Sequence, residues 1–255
     1  MADKKKEKAI IIRKEKIAEG IFDMWIRTEE IAGLAKPGQF ISLYCADGSR
    51  LLPRPISICE IDTKDNALRI VYRVAGKGTE EFSKMEAGAQ VDIVGPLGNG
   101  FPLQDKSAFL IGGGIGVPPM LELAKQLNCE KQIVLGYRDE LFLYDDFKKY
   151  GKVYVATEDG SAGTKGNVLD AIRENGLKAD VIYACGPLPM LRALKTYAAE
   201  NNIECWVSLE ERMACGIGAC LGCVCKSKEK DDHTHVHNKR ICKEGPVFRA
   251  EEVDF

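Results

Sequence analysis

The chain has 255 residues, 45% of them hydrophobic and 29% charged, with a formal charge of −2 and a pI near 6. That composition describes a soluble globular protein able to bury a sizeable core, and sets disordered and fibrous classes aside. There is no broad positive footprint for nucleic acid, no run near the ~20 apolar residues of a membrane span and no apolar signal-peptide core at the N-terminus.

A cytoplasmic protein is therefore expected, without nucleic-acid or membrane partners. The run "KKKEK", Lys4 to Lys8, reads as a solvated tail of mixed sign. In a reducing compartment the ten cysteines point to metal or redox chemistry rather than structural disulfides. Cys45, Cys59, Cys129 and Cys205 lie in apolar runs and read as small buried hydrophobes.

Residues 9 to about 102 alternate as short strands, "AIIIRKEKI", "IFDMWIRT", "QFISLYC", "PISICEI", "ALRIVYRV" and "QVDIVGPLG", with a hairpin signal at "TKDNA". They predict a small antiparallel barrel over 1–103, interrupted by one helix from Thr79. Within it, "RLLPRPISICE" sets Arg54, Pro55, Ile56 and Ser57 at a strand start. There an arginine can bind pyrophosphate and a serine can offer its hydroxyl to a ring heteroatom. "VAGKGTEEFS" follows, with Gly76, Lys77 and Gly78 leading into the helix and Thr79 suited to its N-cap, a second element compatible with phosphate.

From about residue 107 the rhythm becomes strand, turn, helix. "SAFLIGGG" precedes "PPMLELAKQLN", "KQIVLGYR" precedes "ELFLYDDFKKYG", "KVYVATED" precedes "GNVLDAIRENG", and "ADVIYACG" precedes "LPMLRALKTYAAENN", with "IECWVSL" as a closing strand. This pattern predicts an α/β doubly wound domain over 104–207. Its "LIGGGIGVPPM" carries Gly112, Gly114 and Gly116 where a dinucleotide pyrophosphate rests on a helix start, although Val117 occupies the last glycine position of the Rossmann fingerprint. Cys185 and Gly186 in "ACGPLPM" lie at a carboxyl strand end, where parallel sheets bind ligands.

Residues 208–255 lose periodicity and read as a small cysteine module held by something other than a core. Cys215, Cys220 and Cys223 are spaced C-x4-C-x2-C, and eighteen residues separate Cys223 from Cys242. That is the plant-type spacing of a [2Fe-2S] cluster. The filler "GIGA" leaves room for backbone amides to turn inward. A four-cysteine zinc site is the rival, but such sites usually come as two C-x2-C knuckles and only one is present. Cys225 reads as a non-ligand, and His233, His235 and His237 as part of a charged hairpin tip.

Taken in order, "RPISI", "GKGT", "GGGIGVPP", "CGPLPM" and the cysteine spacing resemble ferredoxin-NADP reductase-like flavoproteins with an appended [2Fe-2S] module. Within that group "LEERMACGIGACLGCVC" and "CKEGPVF" are most similar to the electron-transfer subunits of dihydroorotate dehydrogenase B. The resemblance implies that Arg54, Pro55, Ile56 and Ser57 contact FAD, with Ser57 near its reactive edge, and that Gly76, Lys77, Gly78 and Thr79 hold its phosphates. Gly112, Gly114 and Gly116 would take the NAD pyrophosphate, and Thr157 and Asp159 of "TEDGS" would lie near adenosine. Cys185 and Gly186 would flank the nicotinamide, making Ser57 and Cys185 the catalytic pair. Cys215, Cys220, Cys223 and Cys242 would hold the cluster. An FMN-containing subunit oxidising dihydroorotate in pyrimidine biosynthesis is the implied partner, in a heterotetramer of two of each.

Two alternatives stand beside this one. One is the flavin and iron-sulfur subunit of another NAD(P)-linked complex, of ferredoxin oxidoreductase or hydrogenase type. The other is a zinc-stabilised, non-catalytic binding module. Glu158 and Asp159 would repel a 2′-phosphate whereas Arg138 would attract one, and the reading leans to NAD.

Overall fold

The computed structural model describes residues 4–230 and 235–255. The first unit comprises β1 (Lys5–Ala18), β2 (Ile21–Arg27), α1 (Ile31–Leu34), β3 (Phe40–Leu43), β4 (Arg54–Asp62), β5 (Ala67–Arg73), α2 (Lys77–Lys84) and β6 (Gln90–Leu97). The six strands close into an antiparallel barrel in the order β1, β2, β5, β4, β3, β6. Period-two alternation sends Ala9, Ile11, Met24, Ile41, Leu43 and Ile70 inward, with Ile10 and Ile12 outward. The turn between β4 and β5 uses Asn66 at φ 50°, a conformation asparagine tolerates better than most residues.

Two expectations change here. Lys5 to Lys8 are not a solvated tail but the start of β1, paired with β6 from Val94 to Asp92 and Gly95. Glu7 within them is buried, and its carboxylate accepts from the N–H groups of Glu29, Glu30 and Ile31 at 2.7, 2.9 and 3.0 Å, supporting the first turn of α1. The second helix begins at Lys77, so Thr79 is not its N-cap but the third residue of its first turn, its hydroxyl accepting from the N–H groups of Ala75 and Gly76.

The second unit runs β7 (Ala108–Gly113), a single 3₁₀ turn at Gly114–Gly116, α3 (Pro119–Gln126), β8 (Lys131–Tyr137), α4 (Tyr144–Phe147), β9 (Lys152–Thr157), β10 (Thr164–Lys165), α5 (Val168–Glu174), β11 (Val181–Cys185), α6 (Leu188–Asn201) and β12 (Glu204–Ser208). Six strands are parallel in the order β10, β9, β8, β7, β11, β12. Their centre, β7, is buried throughout, as a strand covered on both faces must be. The helix expected over "ELFLYDDFKKYG" shrinks to Tyr144–Phe147. Phe142 and Leu143 before it are buried, and the Phe142 carbonyl accepts from Tyr137 Oη at 2.7 Å, which holds them out of a helix.

The remaining residues form β13 (Val224–Ser227), β14 (Asn238–Arg240), β15 (Val247–Arg249) and β16 (Val253–Asp254). β14, β13 and β16 make a small antiparallel sheet, whereas β15 adds to the edge of the large sheet, antiparallel to β12. The segment is therefore threaded into its neighbour. Ile241, Cys242, Phe248 and Val253 belong to the same apolar cluster as Phe109, Leu191 and Val207 of the α/β unit, so this region does share a core.

Barrel and α/β unit are locked along β4. There the Ile61 N–H donates to the buried Glu122 carboxylate at 2.7 Å, and the Ile61 carbonyl accepts from Lys125 Nζ at 2.8 Å, both from α3. Beside them the buried Arg69 joins Asp23 (2.8 Å) and Glu60 (3.3 Å) of the barrel to Asp146 (3.3 Å) of α4.

Candidate functional site

Antiparallel register sets Ser57 opposite Phe40 and Pro55 opposite Ser42, all four on the outer side of a barrel wall whose inner side is Ile41 and Leu43. A cleft of about 300 Å³ opens on this wall. Pro55, Ile56, Ser57, Tyr72 and Thr79 line its barrel side. Ile115 faces them from the glycine turn, and Glu210, Glu211, Met213 and Pro246 from the cysteine segment. The barrel, the α/β unit and the cysteine segment thus meet around one space.

Arg54 lies at the mouth. A β-carbon built on Gly78 would stand 2.3 Å from its Nε, so only glycine lets the guanidinium rest against the first turn of α2. By helix geometry the N–H groups of Lys77, Gly78 and Thr79 have no partner inside the helix, and they open beside that guanidinium. An arginine and a helix start together suit a pyrophosphate. The cleft also holds a buried hydroxyl, Tyr72 Oη, without a partner among the described residues. Apolar walls, one waiting hydroxyl and a cationic mouth fit a flavin nucleotide.

The glycine turn packs directly on the strand end that carries Cys185. A β-carbon on Gly116 would meet the Cys185 carbonyl oxygen at 2.4 Å, and one on Gly186 would meet the Gly113 α-carbon at 3.1 Å. Gly112 is needed for the turn itself, since its β-carbon would meet the Val117 α-carbon at 2.8 Å. Cys185 is 1% exposed and belongs to the apolar cluster that holds Val117, Met120 and Tyr183; it is not among the residues that line the cleft. Burial pushes its thiol well up, against a hydrogen bond with Ser208. It therefore stays a neutral thiol, shaping the floor of the site.

Gly114 lines a second hollow of about 230 Å³ with Arg73, Arg138, Asp139 and Glu140. Thr157 is fully buried; its hydroxyl donates to the Ala162 carbonyl at 2.8 Å and accepts from the Ala162 N–H at 3.1 Å, closing the "TEDGS" turn. Asp159 is exposed on that turn, and the Ser161 N–H and hydroxyl hold its carboxyl below the ordinary value.

The four cysteines stand as two pairs. Cys215 Sγ and Cys220 Sγ are 3.3 Å apart, while the Cys242 N–H points at Cys223 Sγ from 3.5 Å. Burial opposes ionisation of Cys215, but the N–H groups of Ile217, Cys220 and Ala219 outweigh it and lower its pKa. Cys242 is pushed up by burial and by Cys223. Two pairs of thiols with inward amides suit two irons bridged by sulfide.

Arg240 fixes the loop, donating to the Gly218 carbonyl at 2.8 Å while pairing with Glu244 at 2.7 Å. Asn99 at the barrel's end donates to the Glu244 carbonyl at 2.8 Å. Cys225 sits on β13 opposite Lys239, on a hairpin whose His235 and His237 are exposed; His233 lies outside the described residues.

Sequence reasoning missed Tyr72, Glu210, Glu211, Met213 and Pro246 as cleft residues. Glu210 had a signal: it follows the carboxyl end of β12, the side of a parallel sheet where ligands bind. Although the residue as a whole is exposed, local desolvation of its carboxyl raises it above the ordinary range.

Residues 210–254 match the family model described as the iron-sulfur cluster binding domain of dihydroorotate dehydrogenase B. The chain is 46% identical over 252 residues to the dihydroorotate dehydrogenase B (NAD(+)) electron transfer subunit of Fusobacterium nucleatum, covering 93% of this chain and 94% of that one. It is 44% identical to the protein of that name from Geobacillus kaustophilus, covering 97% and 98%. Among solved structures, an NADH-dependent reduced ferredoxin-NADP oxidoreductase superposes with a TM-score of 0.87 at 32% identity over 96% of this chain and 89% of that chain. A ferredoxin NADP+ reductase from Neisseria gonorrhoeae, with a TM-score of 0.63 at 16% identity over 78% and 92%, shares the fold.

Proposed function

The chain belongs to the family of dihydroorotate dehydrogenase B electron transfer subunits, and from that premise we propose how its residues carry electrons between NAD and a catalytic partner subunit. The observation that carries the reading is that Ser57 of the barrel, Ile115 of the glycine turn and Met213, two residues before the first cluster cysteine, line one cleft. A hydride donor, a flavin and an iron-sulfur group are thereby held within reach of each other.

FAD, when bound, supplies the exchange between the two-electron chemistry of NAD and the one-electron chemistry of a [2Fe-2S] cluster. Arg54 and the N–H groups of Lys77, Gly78 and Thr79 neutralise its pyrophosphate, with Gly76 opening the approach. Pro55 and Ile56 wall the ring and exclude water. Ser57 offers a hydroxyl at the ring edge, and Tyr72 Oη a second. Gly114 and Gly116 bring backbone to the NAD pyrophosphate, and Gly112 keeps the turn tight enough to do so. Cys185 and Gly186 set the depth at which the nicotinamide rests; Cys185 does this by its bulk, because its thiol stays protonated. Thr157 shapes the turn that presents Asp159 to the adenosine ribose, and this acidic turn favours NAD over NADP. Cys215 and Cys220 would take one iron, Cys223 and Cys242 the other.

The partner holds FMN and oxidises dihydroorotate to orotate, and two copies of each chain assemble in the cytoplasm. No helix of the described residues is long and apolar enough to cross a membrane. The test is anaerobic purification with iron, sulfide and flavin analysis, followed by NADH. Flavin and cluster bands that both bleach support the path, and dihydroorotate-dependent NAD reduction in the presence of the FMN subunit supports the assembly. A colourless chain from iron-replete medium overturns the reading.

A further inference from the structure

Ser42 sits on β3 between the cleft wall and the cysteine loop. Its side chain is 1% exposed, and its Oγ has no partner among the described residues. Across the sheet lies Pro55, which has no N–H, with Val94 on the other side. Above it is Gly216, the residue after Cys215. A β-carbon on Gly216 would stand 2.9 Å from Ser42 Oγ and 3.7 Å from Leu97 Cδ1. Gly216 has φ +68°, and the absence of a side chain there lets the hydroxyl lie directly against the cysteine loop. A buried hydroxyl kept without a partner is a cost that natural cores rarely carry. What this loop encloses is sulfur.

We propose that Ser42 donates its hydroxyl hydrogen to a sulfur of the iron-sulfur group held by the Cys215 loop, and so raises the reduction potential of that group. Reduction adds negative charge to the sulfurs. A donor aimed at them favours the reduced form, one of the protein's main means of setting such potentials. Ser42 would be a tuning residue contributed by the barrel, in the same row of side chains as Pro55 of the flavin wall. The inference rests on the four cysteines being the ligands.

The experiment is an anaerobic redox titration of the full, FAD-loaded chain followed by electron paramagnetic resonance, with iron and sulfide measured for each sample. Ser42→Ala is expected to shift the cluster equilibrium about tenfold toward the oxidised form, which for one electron is about 59 mV lower. Ser42→Thr and Ser42→Val share one shape and differ in the hydroxyl, so they carry the comparison if alanine disturbs assembly. Threonine should titrate above valine and close to the unaltered chain. Equal potentials for the alanine variant and the unaltered chain, or for threonine and valine, at full iron and sulfide content would overturn the role of Ser42 alone. Absence of iron from the unaltered chain would remove the ligand assignment first, and the proposal with it.

Discussion

Arg54 and Gly78 touch so closely that a methyl group on the glycine would lie 2.3 Å from Nε and 2.6 Å from Cζ of the arginine. The contact ties a β4 side chain to the start of α2, beside the cleft that Pro55 and Thr79 line. Gly78→Ala should therefore push the guanidinium off the helix start while leaving the barrel folded. A charge-assisted bond is worth about 1.5–3 kcal/mol, so FAD affinity should fall at least about tenfold. Flavin retained per chain after dialysis, with far-UV circular dichroism as the control for folding, checks this. Retention equal to the unaltered chain would place the phosphates elsewhere.

Replacing the cysteines one at a time by serine separates ligands from bystanders. Cys215→Ser, Cys220→Ser, Cys223→Ser and Cys242→Ser should each lose most of the iron and sulfide. Cys225→Ser should keep both, because β13 pairs that residue with Lys239 rather than with another thiol. Iron loss from the Cys225 variant equal to that of the other four would contradict the two-pair arrangement.

Arg69 neutralises Asp23 inside the joint between barrel and α/β unit, at side-chain exposures of 9% and 3%. Arg69→Met removes the cation and leaves a buried carboxylate with nothing to balance it, a change that costs about 3–5 kcal/mol. Thermal unfolding of the loaded protein should move down by several degrees. The double variant Arg69→Met, Asp23→Leu should recover much of the loss, and failure to do so would mean that the ion pair itself, not the stranded charge, matters.

Glu204 gives a pH signature. Burial favours its neutral form, but Lys106, Gln104 and the Trp206 indole N–H together depress its carboxyl to about 2 from an ordinary 4.5. A folded-state pKa below the unfolded one adds stability that is fully present above about pH 4.5 and is lost as pH falls toward 2. Urea unfolding between those limits should show a steeper acid decline for the unaltered chain than for Glu204→Gln. Parallel profiles would show that the three donors do not act on the carboxylate.

The barrel and the parallel sheet were legible because their strands repeat one rule many times: alternation in β1 and β2, continuous apolar runs in β7 and β11. The cluster spacing was legible because three cysteines within nine positions constrain a loop more tightly than any propensity does. Residues 4–8 were misread because lysines usually mean solvent, whereas here they alternate along an edge whose inward member, Glu7, is held by three N–H groups. Thr79 was misplaced because a hydroxyl at a helix start can serve from inside the first turn as well as from its cap. β15 left no signal, since three residues are too short to carry a period, and its pairing with β12 depends on distant contacts. For the same reason Glu210, Met213 and Pro246 surfaced as cleft residues only once that strand had brought their segment back to the sheet.

The pairing of β15 with β12 also bears on how the chain leaves the ribosome. β12 would stand as an open edge until residues 247–249 have been made and have paired with it. An uncovered edge exposes a row of N–H and C=O groups to any other strand nearby. Since Cys242 is synthesised just before that closing strand, the nascent chain completes its row of cysteines and seals its aggregation-prone border almost together.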